Sequence, residues 1–392
     1  MKKLLIFLTA FSLFFPTFAH AEEAKTFDLE AGSAIIVNPN TDEILFEKNA
    51  DEQLSPASLT KVMTLLLVSE EMQKRHTKDS ELAKISKKAW QTDGSKMFLQ
   101  VDKEVPVGEL KKGLAIVSGN DAAVALAEHF FGSTDKFVEK MNERAKELGM
   151  TNTHFVTVNG LSKGKDGDLS TARDLSILTR YYVKHFPQNM ELHKTKSYTT
   201  LKKYAGGREN ITQQNRNPLL GSYKGVDGLK TGFVDGHYNL IATAKQGDIR
   251  LIAVTMKSPT DGARARAGYA ILNYGFNQYQ TINKGNKGDA IKTLNVYKAS
   301  NAKQANVVLG ENATFVVNKK DIEAIKVKDH LPKYLKGGVK KGEKIGERVV
   351  TVHDKTYKFN IVVTEDLKPT NVIYRLFDSI AIMFNKYVLG IF

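Results

Sequence analysis

The chain is 392 residues long and 42% hydrophobic, enough to bury one large core and a second, smaller one. It has no cysteine, which excludes a disulfide framework and a thiolate site. Its 57 basic and 43 acidic residues leave a net +14, yet no nucleic-acid motif or aromatic-interleaved basic patch accompanies that surplus; nucleic acid is excluded as a partner, leaving anionic lipid, an acidic envelope polymer or a merely solvated basic surface.

Met1 to Ala21 has the form of a signal peptide: Lys2 and Lys3, an apolar run from Leu4 to Phe15, and Ala19-His20-Ala21 as a small-x-small cleavage site. The run is short for an uncleaved membrane anchor, so export is expected, with the mature chain beginning near Glu22. Ala34-Ile35-Ile36-Val37 and Glu43-Ile44-Leu45-Phe46 then flank the turn residues Asn38 to Asp42, which predicts a hairpin.

Next, Ser55-Pro56-Ala57-Ser58-Leu59-Thr60-Lys61 runs into the apolar stretch Leu65-Leu66-Leu67-Val68. Ser55 as N-cap and Pro56 as first helical residue would put Ser58 in the opening turn of a helix. Lys61, three residues on, would share its face, and a neutral amine there can take the hydroxyl proton. The same Ser-x-x-Lys spacing occurs at Ser133/Lys136, Ser162/Lys165 and Ser300/Lys303. Ser133 reads as a helix cap, Ser162 lies in a glycine-rich loop and Ser300 in a polar stretch, so only Ser58 opens a strongly apolar helix. An ordinary capped core helix is the competing reading.

Helices are predicted to dominate from Ser58 to about Phe186, including 107–117, a run opened by Ser118-Gly119-Asn120, and 134–148 ended by Gly149. Ser118 and Asn120 taken alone read as caps. Lys230-Thr231-Gly232 sits where a strand pattern begins, and 230–234, 238–244 and 249–257 alternate as strands before a helix at about 264–274. The fold class is therefore α+β: a sheet with helices on its faces plus a helical subdomain.

Around Asn283 to Asp289 the composition turns to Gly, Lys and Asn, a linker. Short β-like segments at 307–309, 313–317, 322–327 and 357–363 predict a small all-β domain. After Pro369, Ile373, Phe377, Ile380, Phe384, Val388 and Ile391 recur at helical spacing opposite Arg375, Asp378, Ser379 and Lys386, with Ile382 and Leu389 spoiling the polar face. An amphipathic helix is expected there, as an interfacial membrane anchor or packed on its own domain. The expected division is signal peptide 1–21, catalytic domain 22–282, all-β domain 283–366 and amphipathic helix 367–392.

The order Ser58-x-x-Lys61, Ser118-x-Asn120, Lys230-Thr231-Gly232 resembles the penicillin-binding proteins and serine β-lactamases. The flanking residues Pro56-Ala57-Ser58-Leu59-Thr60-Lys61, Ser118-Gly119-Asn120-Asp121-Ala122 and Val226-Asp227-Gly228-Leu229-Lys230-Thr231-Gly232 resemble one branch, the low-molecular-mass D-alanyl-D-alanine carboxypeptidases of the penicillin-binding protein 5 type, peptidase family S11. The resemblance runs from about Ser33 to the C-terminus. It implies a β-lactamase/transpeptidase-like catalytic domain and removal of the terminal D-alanine from peptidoglycan stem pentapeptides, with β-lactams acylating the same serine.

By that resemblance Ser58 is the nucleophile and Lys61 its base, tuned by Lys230, while Ser118 relays the proton and Asn120 holds Lys61 and the substrate amide. Backbone N–H groups of Ser58 and of Phe233, after Gly232, would form the oxyanion hole. Thr231 and Arg216 would bind the terminal carboxylate, with Arg264 nearby or else in a surface salt bridge. Phe233 stands where many relatives carry His or Tyr, and the segment from Phe233 to Tyr238 is about one residue short. Relatives carry a C-terminal anchor, which favours attachment to the outer face of the cytoplasmic membrane.

No cofactor is implied, and the nine histidines form no metal-ligand motif. Three alternatives stand beside this reading: a DD-endopeptidase, a non-catalytic binder of wall peptides, and a β-lactamase. The last would need a deacylation base, and the loop from Thr157 to Thr171 offers no glutamate, only Asp166 and Asp168.

Overall fold

In the computed structural model, residues 29–161, 166–207, 209–388 and 390 are described. The signal-peptide segment and the Ser162/Lys165 pair lie outside the described residues. The chain runs β1 (Ser33–Asn38), β2 (Glu43–Lys48), a 3-10 turn (Ala57–Thr60), α1 (Lys61–Arg75), β3 (Leu82–Lys84), α2 (Lys87–Gln91), β4 (Glu104–Pro106), α3 (Val107–Ile116), α4 (Asn120–Phe131), α5 (Thr134–Glu147), α6 (Ala172–His185), α7 (Met190–His193), β5 (Ser197–Thr200) and β6 (Ile211–Gln214). Then follow β7 (Val226–Val234), β8 (His237–Gln246), β9 (Ile249–Ser258) and α8 (Asp261–Gln278).

The main sheet is antiparallel, in the order β2-β1-β9-β8-β7. Strand residues alternate between two cores: Ile35, Val37, Ile241, Ile252 and Val254 join the helical block, whereas Ala34, Ile36, Leu240, Leu251 and Ala253 face the α8 side. Both faces are covered, which is why the inner strands read as unbroken apolar runs. Helix α1 is enclosed in the helical block, with Lys61 through Ser69 all buried, and it ends at left-handed His76 after Lys74 and Arg75.

One expectation at the start of α1 is corrected. Ser55 does not cap it, and the turn carrying Ser58 is 3-10, so the α-helix begins only at Lys61. The reason is competition for the preceding carbonyls: Asn239 Nδ2 donates to Ser55 O at 3.0 Å and Pro56 O at 3.4 Å, and Leu59 N–H closes a tight bond to Pro56 O at 3.1 Å. Ser133, by contrast, does cap α5, accepting from Lys136 N–H.

The rest of the chain is a β-rich unit: β10 (Tyr279–Asn283), β11 (Ala290–Tyr297), β12 (Gln304–Leu309), β13 (Thr314–Asn318), β14 (Ile325–His330), β15 (Leu335–Lys336), β16 (Lys344–Val352) and β17 (Lys355–Val363). Six strands form one sheet, β14-β16-β17-β12-β11-β15, around a third core, and β10 pairs with β13. Residues 319–324, partly expected as strand, form a 3-10 turn instead, because the Asn318 side chain accepts from Lys320 N–H and turns the chain before β14 starts. Glu43 on β2 reaches across to the unit, accepting from Lys355 Nζ at 2.9 Å and Tyr357 OH at 3.3 Å. Helix α9 (Val372–Tyr387) follows, capped by Asn371, whose side chain accepts from Tyr374 N–H.

Candidate active site

The 3-10 turn lies against β7, the edge strand of the main sheet. A Cβ on Gly232 would come within 2.8 Å of Pro56 O and 3.2 Å of Ala57 Cβ, so only glycine allows this approach. On the other side Gly160, at φ +75, lies so close that a Cβ would sit 1.9 Å from Ala57 O. Ser58 is thus clamped from both sides. It opens onto a cleft of about 620 Å3, also lined by Ser118, Asn120, Arg216, Thr231, Gly232, Phe233 and Arg264.

Beneath Ser58 lies Lys61, fully buried, with Nζ donating to Ser58 Oγ at 2.8 Å and to the Asn159 carbonyl at 2.5 Å. Burial lowers the proton affinity of this amine to a pKa of about 7, helped by the Arg216 charge and opposed by Asp168 and Asp121. Lys230, also buried, donates to Thr231 O at 3.0 Å. Its pKa falls well below the ordinary lysine value, first by burial and then by the charges of Lys61, Arg216 and Arg264. The charge that adds to burial in lowering the Lys61 pKa is that of Arg216, while Lys61 and Lys230 are coupled through the lowering of Lys230.

Ser118 and Asn120 do not cap α4: Gly119 occupies the N-cap, with no side-chain cap bond. Ser118 is held in the left-handed region at φ 62. Asn120 donates from its backbone N–H to Ser95 O at 2.7 Å and from Nδ2 to Asp93 O at 2.6 Å. Ser118 Oγ and Asn120 Oδ1 are buried without a hydrogen-bond partner among the described residues. Unpaired buried acceptors are costly, and at a cleft they are the atoms a ligand would satisfy.

Arg216 stands on the cleft rim, donating to Ser95 Oγ at 2.7 Å. Arg264 makes the ion pair its plainer reading expected, with Asp261, yet it is only 7% exposed and lines the cleft with its guanidinium 5.5 Å from the Tyr238 ring centroid. Phe233 is 58% exposed and leans on the same Tyr238 at 4.7 Å between centroids. All ten residues singled out in the sequence therefore converge on one locality. It holds a hydroxyl on a buried amine, cations at the rim and an open sheet edge, the parts required for acyl transfer from a peptide.

Residues 19–260 match the D-alanyl-D-alanine carboxypeptidase family, Peptidase S11, and 279–369 match the C-terminal domain of penicillin-binding protein 5. The chain belongs to the D-alanyl-D-alanine carboxypeptidase family. It is 33% identical to the D-alanyl-D-alanine carboxypeptidase DacC of Escherichia coli over 96% of this chain and 94% of that one. Among solved structures it is similar to penicillin-binding protein 5 from Haemophilus influenzae, with TM-score 0.77 and 32% identity over 87% of this chain and 98% of the other. Penicillin-binding protein D2 from Listeria monocytogenes in its ampicillin-bound form matches 64% of this chain and 98% of its own, with TM-score 0.57 and 31% identity.

Within this family frame, several supports of the site had no signal in the sequence. The Asn159 carbonyl that fixes Lys61 is a backbone group on a loop. Asp121 takes N–H bonds from Met97 at 3.0 Å and Leu99 at 3.1 Å, strapping the segment that carries Ser95 across Asn120. Asp168, considered above only as a possible base, is buried and accepts from Thr60 Oγ1, Val156 N, Thr157 N and Thr157 Oγ1. Adjacency to a motif was the one available clue, and it pointed to Asp121 alone.

Proposed function

We propose that Ser58 carries the D-alanyl-D-alanine carboxypeptidase activity of this family by way of an acyl-enzyme. The observation behind this reading is the 2.8 Å bond between Ser58 Oγ and a fully buried lysine amine. Neutral Lys61 takes the Ser58 proton as Oγ attacks the carbonyl of the penultimate D-alanine. The Oγ–C bond forms, the peptide C–N bond breaks, and the proton passes through Ser118 to the departing D-alanine. Water then cleaves the ester, releasing the shortened stem peptide and restoring the serine.

The N–H groups of Ser58 and Phe233 stabilise the oxyanion, and a peptide laid along the free edge of β7 directs its carboxylate toward Thr231, Arg216 and Arg264. A β-lactam presents a similar acyl group, and the Listeria relative's structure is an ampicillin-bound form. Its adduct on Ser58 should persist, because the loop after Asn159 offers no glutamate and its one buried carboxylate, Asp168, is committed to four hydrogen bonds.

Incubating the mature chain with a penicillin and with a D-Ala-D-Ala pentapeptide, beside Ser58→Ala, tests this reading through covalent mass and released D-alanine. A stable penicilloyl adduct and D-alanine release are expected from the wild type, and neither from the variant. D-Alanine release surviving in Ser58→Ala would overturn the assignment. Cleavage confined to cross-linked dimers would make the enzyme an endopeptidase.

We further read the chain as an exported, peripheral protein of the outer face of the cytoplasmic membrane: leader 1–21, catalytic unit 22–282, β unit 283–366 and membrane-associating helix 367–392. What supports the last element is the exposure of Phe377, Ile380 and Phe384 on α9, while no helix among the described residues is long and apolar enough to cross a membrane.

A further inference from the structure

Helix α9 meets the β unit with its polar side. Asp378 accepts from the backbone N–H of Lys298, and Asn385 Nδ2 donates to Tyr297 OH at 3.0 Å. At 100° per residue these two side chains fall on one line of the helix, about 80–160° around from Phe377, Ile380 and Phe384, whose exposed face points away from the unit. Ile382, which spoiled the polar face in the sequence, is half-buried on the docked side. Lys386 falls on the far flank of the docked side, about 120–180° around the helix from the apolar face.

Beside that flank is an open cleft of about 600 Å3, lined by Lys333, Tyr334, Lys336, Ile345 and Lys386 among others. Its wall is tied to the helix, since Tyr297, which accepts from Asn385, packs edge-on against Tyr334 at 5.4 Å. The Lys336 ammonium lies 5.7 Å from the Tyr334 ring centroid. None of Lys333, Lys336 and Lys386 is paired with a carboxylate among the described residues. Three lysines, one before β15, one on β15 and one on α9, thus line one cleft without a carboxylate partner among the described residues. The stretch 279–369 that matches the C-terminal domain of penicillin-binding protein 5 holds 18 basic residues against 10 acidic ones, the larger share of the net charge.

We propose that this cleft binds the phosphate of an anionic lipid headgroup. The inference rests on the reading of α9 as a membrane-associating helix and adds the lipid class. A helix with its apolar face sunk about 5–10 Å into the interface places its opposite side, one helix diameter of about 10 Å away, at headgroup level. The cleft opens at that level, between helix and β unit, where phosphate diesters are the available anions. Lysine suits them as a point charge needing no bidentate geometry.

The test is binding of the full mature chain to phosphatidylcholine vesicles with and without phosphatidylglycerol. Wild type is compared with K333A/K336A/K386A and with K287A/K320A/K326A, an equal loss of charge from the same unit outside the cleft. Each lysine near an anionic surface contributes about fivefold in affinity, so the cleft variant should lose roughly a hundredfold on phosphatidylglycerol vesicles. It should retain wild-type binding to phosphatidylcholine alone, and the control variant should lose far less.

Equal losses in the two variants, or no loss in the cleft variant, would overturn the proposal while leaving the helix as an anchor. Failure of wild type to bind either vesicle would instead overturn the anchor reading. A third arm adds inorganic phosphate: if it binds the wild type at millimolar concentration, displaces the vesicles and is lost in the cleft variant, the cleft is a free-phosphate site and the lipid assignment is wrong. Unchanged thermal unfolding of both variants confirms that each is folded.

Discussion

An amine enclosed by protein serves as a base only after it has lost its proton, so the value of Lys61 to the reaction depends on pH. With its pKa near 7, the neutral fraction grows as pH rises through that value, and kcat/KM for a soluble D-Ala-D-Ala peptide should climb along a limb centred there. Lys61→Arg, permanently charged, should lose that limb and on the order of a thousandfold in rate. A flat profile across neutrality would mean that another group takes the serine proton. The same shift bears on stability. Between about 7 and 10.5 the unfolded chain keeps a proton that the folded chain has shed, so stability rises with pH over that window. Below pH 7 both states hold the proton and the slope vanishes. Lys61→Met should flatten the rise, leaving the contribution of Lys230, which has the same sign because its pKa is also lowered.

At the level of elements, the site depends on how closely a turn approaches a strand. Gly232→Ala would drive a methyl group against Pro56 O and Ala57 Cβ, and the backbone of the 3-10 turn has no flexible end that can yield. Penicillin acylation should fall at least tenfold, because the Ser58 and Phe233 N–H groups are pushed apart, and the melting temperature should fall with it. Unchanged acylation would show that the turn can shift without cost. This contact was invisible in the sequence, though its two partners were both legible as motifs. The sequence showed the residues that carry chemistry, because each needs a particular functional group at a particular spacing. It showed strands β8 and β9 and helices α3 and α5 because alternation and capping are local. It missed the 3-10 turn at Ser58 because the decisive donor, Asn239, lies about 180 residues away. It missed Asn159 because a backbone carbonyl has no sequence identity to read, and 319–324 because a single Asn318 bond outweighed an apolar pattern.

Across the whole molecule, catalysis and attachment are placed on separate parts of the chain. The cleft draws its lining from residues between Ser58 and Arg264, whereas α9 is hydrogen-bonded, among the described residues, to Lys298 and Tyr297 of the β unit. The β unit in turn is joined to the catalytic unit through Glu43, with its Lys355 and Tyr357 donors, and through the bond from Tyr279 OH to Leu45 O at 3.0 Å. No element of the cleft is completed by the helix, so removing it should leave the chemistry intact. A chain ending at Asn371 should therefore leave the membrane fraction and hydrolyse a soluble D-Ala-D-Ala peptide with kcat/KM within about twofold of the full chain, since residues distant from a site act nearly independently. Retention in the membrane fraction would assign attachment to the basic β unit instead. Loss of activity on the soluble peptide would reveal a coupling between helix and cleft that the contacts do not contain. On membrane-linked substrate the two forms should differ, because only the full chain is confined to the surface from which stem peptides project, where effective concentration does the work of affinity.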